Sequence, residues 1–179
     1  MSLRATELAA SHSGNLWHTH RDEASASIND RTNVLLLEPA SSALRFSKIL
    51  ARPGVGDTHS RVGLVVVTLY YTKTDNPGVF GMQFDKSLCR VAEADGARTL
   101  AAYVTSSQEN NYPKLRVRSG EHIFVCISAF TNADAYVTYQ ATLTADKNRT
   151  ARWNSKCAQL ARGPEVLRLT LTARSRLRG

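Results

Sequence analysis

Between residues 62 and 72 the chain reads Val-Gly-Leu-Val-Val-Val-Thr-Leu-Tyr-Tyr-Thr, dense in β-branched and aromatic side chains, and this run predicts the strongest strand of the sequence. Residues 121–128 predict another, whose unbroken apolar centre at 123–127 suits a strand covered on both faces. Strict alternation occurs twice. Lys114, Arg116 and Arg118 alternate with Leu115 and Val117, giving one basic and one apolar face. Over residues 136–144, Tyr136, Thr138, Gln140, Thr142 and Thr144 face one way, with Val137, Tyr139, Ala141 and Leu143 the other. Shorter apolar runs at 34–37, 44–50, 79–84, 88–92 and 100–106 bring the total to about eight or nine strands. Turn chemistry separates them: Thr74 to Gly78 with Pro77, Asp95-Gly96, Ser119-Gly120, and a loop over 51–61 holding Pro53, Gly54 and Gly56. The densest runs nominate Val65, Val67, Ile123, Val125 and Ile127 as core.

Helical spacing is confined to the two ends. A short helix is expected over residues 3–10. Trp153, Cys157 and Leu160 fall on one helical face, which Gly163-Pro164 closes. Leu167, Leu169 and Leu171 then alternate with Arg168, Thr170 and Thr172, a further strand for a sheet edge or another chain. The pattern as a whole predicts an all-β protein, an antiparallel β-sandwich of about eight strands. It divides into an N-terminal arm over 1–30, the sandwich over 31–148, and a C-terminal extension over 149–179 made of a short helix plus a strand.

Charge singles out that extension. Of the formal net charge of +8, residues 149–179 carry +7, through Arg149, Arg152, Lys156, Arg162, Arg168, Arg174, Arg176 and Arg178 against Glu165 alone. Seven of these eight are Arg, which favours planar, bidentate contacts to carboxylate or phosphate. The apolar residues interleaved with them, Trp153 foremost, suit a segment that docks one face on protein while its Arg face meets an acidic partner. These eight cations and Trp153 are the candidate partner-binding residues. RNA, an acidic protein surface and an anionic membrane all carry the required charge, the membrane being the least expected.

The remaining chemistry is sparse. A hydrophobic share of 42% with 21% charged residues describes a globular chain, and no apolar stretch exceeds about five residues. No secretory signal is expected. Cys89, Cys126 and Cys157 form no close-spaced pair, so neither a disulfide framework nor a zinc knuckle is expected, and a reducing compartment fits best. Cys89 and Cys126 sit in apolar runs and read as structural thiols; Cys157 is the cysteine expected to be accessible. No nucleophile elbow, Walker loop, His-Glu-x-x-His or dinucleotide fingerprint occurs, and the chain reads as non-enzymatic, with no cofactor and no small-molecule substrate. His12, His18 and His20 read as polar arm residues, not metal ligands. Asp57, Asp75, Asp95 and Asp134 lie one to a loop, so no calcium site is expected. Trp17, alone among polar neighbours, is expected to dock on one end of the sandwich.

The stretch Leu115-Arg-Val-Arg-Ser-Gly-Glu-His-Ile-Phe-Val-Cys-Ile-Ser-Ala-Phe130, followed by Tyr136-Val-Thr-Tyr-Gln-Ala-Thr-Leu-Thr144, resembles the late strands of the calpain-type β-sandwich, domain III of calpain large chains, which is C2-like. The resemblance implies that fold over residues 31–148, free-standing and without the protease core. It implies no peptidase activity, since the family's Cys-His-Asn centre is missing. The acidic loop behind that family's calcium and lipid responses is also missing, since residues 51–61 hold only Asp57.

These readings combine into a non-catalytic interaction or structural module built into a large assembly. A cytoskeletal setting and a cytoplasmic location are expected. A ribonucleoprotein component is the alternative, with a mitochondrial form suggested by Arg4, Arg21 and nearby serines but opposed by Glu7. A viral capsid jelly roll ranks below both, because its basic arm normally lies at the other end.

Overall fold

The strand expected at 62–72 forms as β2 (Leu64–Tyr71), and all eight of its residues pair in antiparallel register with β4 (Ile123–Phe130), from Leu64 opposite Phe130 to Tyr71 opposite Ile123. Both strands are continuous apolar runs because both of their faces are buried. Val65, Ile123 and Val125 are in the core as expected, whereas Val67 and Ile127 are half-buried. The coordinates are a computed structural model that describes residues 2–30, 32–46, 51, 53–58, 63–84, 96–145, 147–173 and 175–176.

Three further strands complete the sheet: β1 (Leu37–Pro39), β3 (Arg98–Thr105) and β5 (Glu165–Thr170). The order across it is β1-β3-β4-β2-β5, every neighbouring pair antiparallel. β2 and β3 therefore run parallel with β4 between them, and α3 (Pro77–Phe84) lies on the connection. β4 and β5 likewise run parallel around β2, joined through α4 (Ala133–Ala145) and α5 (Lys147–Cys157). Two interlocked split β-α-β units make a ferredoxin-like α+β sheet.

This corrects the expected all-β, eight-strand sandwich of the C2-like, calpain domain III type. The described residues form five strands and five helices, two of the helices being α1 (Ser2–Ser13) and α2 (Asn15–Ala26). Two predicted strands are helices. The run at 79–84 belongs to α3, where Pro77 opens the first turn and so starts a helix instead of a β-turn. The alternating stretch at 136–144 is the body of α4. Asn132 accepts the Ala135 N–H at 2.8 Å as its cap, and Asp134 sits in the positive first turn. Its threonines satisfy themselves locally: Thr138 and Thr142 donate to the carbonyls of Asp134 and Thr138. Residues 114–118 form a turn with one parallel bridge, Arg118 to Leu35, not a strand. Residues 41–45 are turns and bends, and of the strand expected at 44–50 the residues 47–50 lie outside the described ones. The strand expected at 88–92, with Cys89, lies outside the described residues.

The chain forms two compact units, Met1–Leu36 with Ser106–Glu121, and Leu37–Thr105 with His122–Gly179. In the first, Arg4 donates to Asn110 and Asn111 at 2.9 Å, and His12 stacks on Tyr112 with ring centroids 5.6 Å apart. Arg118 forks onto Glu121 and donates to Asn33. The second holds the sheet. Phe80 of α3 and Phe124 of β4, each 1% exposed, pack edge to face at 5.8 Å. Burial of each such ring contributes about 2 kcal/mol.

Candidate functional site

On the helix-covered face of the sheet the core divides into two clusters. In one, Tyr70, Phe80, Phe124 and Leu160 pack with half-buried Trp153 and Cys157. In the other, Leu64, Val66 and Phe130 pack with Tyr136 of α4. Beside them the sheet carries Thr68, Ser128 and Cys126, the last of these part of the first cluster. Thr68 faces its register partner Cys126, and Ser128 lies opposite Val66 on one side and Thr99 on the other. A cavity of about 140 Å³ opens over this stripe, closed by Tyr136, Tyr139, Gln140 and Leu143 of α4, Trp153 of α5 and Val166 of β5.

The local sequence explains the walls. Tyr136, Tyr139 and Leu143 recur at three- and four-residue steps, so a helix brings all of them to one side. Both tyrosines pack on Phe130, at 5.0 Å edge to face and 5.4 Å tilted. Gln140 donates to the Tyr136 hydroxyl at 3.1 Å, and Arg168 lies 5.1 Å over the Tyr136 ring. Trp153 meets Tyr70 edge to face at 6.0 Å. Cys126 Sγ and Ser128 Oγ are 3.7 Å apart. Among the described residues the lining side chains are aromatic, aliphatic, hydroxyl, thiol and amide, with no carboxylate, imidazole or amine. Such walls suit a neutral ring with one or two hydrogen-bonding substituents.

The basic extension is distributed through this unit. Trp153 belongs to the cavity wall. Arg162 lies 3.5 Å over the Tyr71 ring, and the Tyr71 hydroxyl donates to Glu165 at 2.7 Å. Arg168 stands on β5 and Lys156 is half-buried on α5. Arg152 and Arg176 are exposed. Arg174, Arg178 and the side chain of Arg149 lie outside the described residues. The candidate cations are thus spread over a helix, a strand and the segments around them, not gathered on a free tail. Cys157 is half-buried, and burial pushes its thiol up, toward the protonated form.

Sequence reasoning missed the cavity because it read 136–144 at period two. The usable signal was the Asn132 cap ahead of Tyr136, Tyr139 and Leu143 at helical spacing.

No protein-family model matches the chain, and no curated protein matches it. Among solved structures it is similar to a NIPSNAP family protein from Agrobacterium tumefaciens, with a TM-score of 0.51 and 14% identity over 67% of this chain and 95% of that one. Weaker likenesses are a NIPSNAP domain protein from Burkholderia xenovorans (TM-score 0.47, 16% identity, 62% of this chain and 95% of that one) and SnoaB, a cofactor-independent oxygenase from Streptomyces nogalater (TM-score 0.40, 14% identity, 61% and 92%). At the first of these values it is the fold that is shared. That fold, with the topology above, overturns the calpain-type resemblance and removes the support for a cytoskeletal setting drawn from it.

Proposed function

We propose that the chain is a small-molecule-binding protein that takes one ring-sized, mainly apolar guest between the sheet and α4–α5. The observation that carries this reading is the cavity beside the two core clusters, floored by Thr68, Cys126 and Ser128. The pocket is partly open to solvent and lined by both apolar and polar side chains, so a guest can reach it and be oriented there. A cavity of this size accommodates a benzene-sized molecule. The hydroxyls, the thiol and the Gln140 amide supply orientation, and the aromatic walls supply affinity.

The test uses the full chain carrying Trp17→Phe, so that Trp153 reports alone, titrated with benzene, phenol and catechol. Saturable quenching with a rise in Tm is expected, and Ser128→Val should weaken phenol about tenfold while sparing benzene. The absence of saturable binding by all three, or identical behaviour of Ser128→Val, would overturn the reading. Chemical conversion of a bound probe would replace binding with catalysis.

A second reading keeps the acidic partner. It rests on α5, which packs Trp153 inward while Arg152 is exposed. Arg152→Glu with Arg176→Glu should weaken capture of an acidic protein, most strongly at low salt. Capture unchanged by the double variant would remove this reading.

A further inference from the structure

We infer that a second groove, built from α1, α2 and the 106–121 segment, binds a flat aromatic ring carrying a carboxylate. The described residues that line the groove all belong to the N-terminal unit and share none with the sheet cavity. Its volume is about 480 Å³, within the range of organic-ligand sites and enough for two fused rings with a substituent.

Its aromatic wall is held in place. His12 meets Trp17 edge to face, centroids 4.8 Å apart at 73°, and stacks on Tyr112 at 5.6 Å. The His12 Nδ1–H donates to the Leu8 carbonyl at 2.7 Å, which sets the ring plane. Val34 and Leu115 add half-buried aliphatic surface. A flat ring packs well against such a wall, offset or edge on.

Charge chooses among flat rings. The basic alternation at residues 114–118 makes no strand, yet it delivers Lys114 and Arg116 to the groove on either side of Leu115. Among the described residues neither cation has an ion pair or hydrogen bond. Both are exposed. Among the described lining residues the one carboxylate is Asp30, whose Oδ1 accepts from the Thr32 N–H at 2.8 Å and the Thr32 hydroxyl at 2.7 Å; it keeps its charge, and the two cations outweigh it. Two cations thus stand open to a guest at the edge of an aromatic wall. A carboxylate matches the Arg116 fork bidentately, with Lys114 adding a point charge.

The test is a titration of the full chain with 2-naphthoate and, separately, with 2-naphthamide, its neutral counterpart, followed by amide and indole NMR shifts. Naphthoate should move the Trp17 indole and residues 114–116, and should bind at least tenfold tighter than naphthamide. Lys114→Gln with Arg116→Gln should erase that preference, and Trp17→Leu should weaken both probes. Equal binding of the two probes, or a preference that survives the double variant, would overturn the inference. So would shifts confined to the Tyr136–Trp153 cavity, an outcome that leaves the sheet site standing. Trp17 shifts that grow with protein concentration before any probe is added would assign the groove to a second copy, and would overturn it too.

Discussion

At Gly81 a single missing methyl decides the packing of α3 on the sheet. A Cβ there would lie 2.6 and 2.8 Å from two atoms of the Phe124 ring. That ring cannot retreat, because Tyr70 and Phe80 flank it at 6.0 and 5.8 Å. Gly81→Ala gains up to ~1 kcal/mol of helix propensity but overpacks the core at a cost of about 1–3 kcal/mol. A lower urea midpoint with unchanged slope is the expected outcome; a higher midpoint would show that the ring yields. Asp30 illustrates a different residue-level effect. The Thr32 hydroxyl and then the Thr32 N–H hold its carboxyl below the ordinary aspartate range. A depressed folded pKa means that the tie is present at neutral pH and is lost as pH falls through that lowered value. Carboxyl carbon shifts of Asp30 should therefore titrate below those of an ordinary aspartate, and Thr32→Ala should return them toward it.

Elements were legible where burial and periodicity agree. β2, β4, β3, the C-terminal strand and the helix at Trp153 all stand where the apolar pattern placed them, within a few residues. α3 and α4 were not legible from the pattern. α3 contributes Val79, Phe80 and Phe84, and α4 is rich in β-branched and aromatic residues that alternate, so period two and period 3.6 compete over the same letters. What decides is at the ends: Pro77 at the first position of α3, and Asn132 ahead of α4. Asn132→Ala should cost about 1 kcal/mol and loosen the α4 wall of the cavity. Weaker amide protection over 133–137 in hydrogen exchange is expected; unchanged protection would show that packing alone holds the helix.

Over the whole molecule, β5 shows how far the C-terminal segment is integrated. Six of its residues pair with β2, and Leu160 of the segment before it is 6% exposed in the core. Ending the chain at Gly163 should strip β2 of that neighbour and leave an open apolar edge. Loss of cooperative unfolding with self-association in size-exclusion chromatography is the expected result; a monomeric, cooperatively folding product would make the segment dispensable. The same integration separates what was readable in the letters from what was not. Composition and local pattern determined that the chain has apolar strands at 64–71 and 123–130, glycine turns at Gly96 and Gly120 with φ of +87° and +73°, and a basic C-terminal sixth. Each of these rests on neighbours in sequence. Only the tertiary structure decided that Thr68, Cys126 and Ser128 share a cavity, and that Lys114 and Arg116 line one groove with Trp17. The physical reason is separation along the chain: strand order and helix placement are set by which apolar faces can be buried together, and no local window contains both sides of that contact.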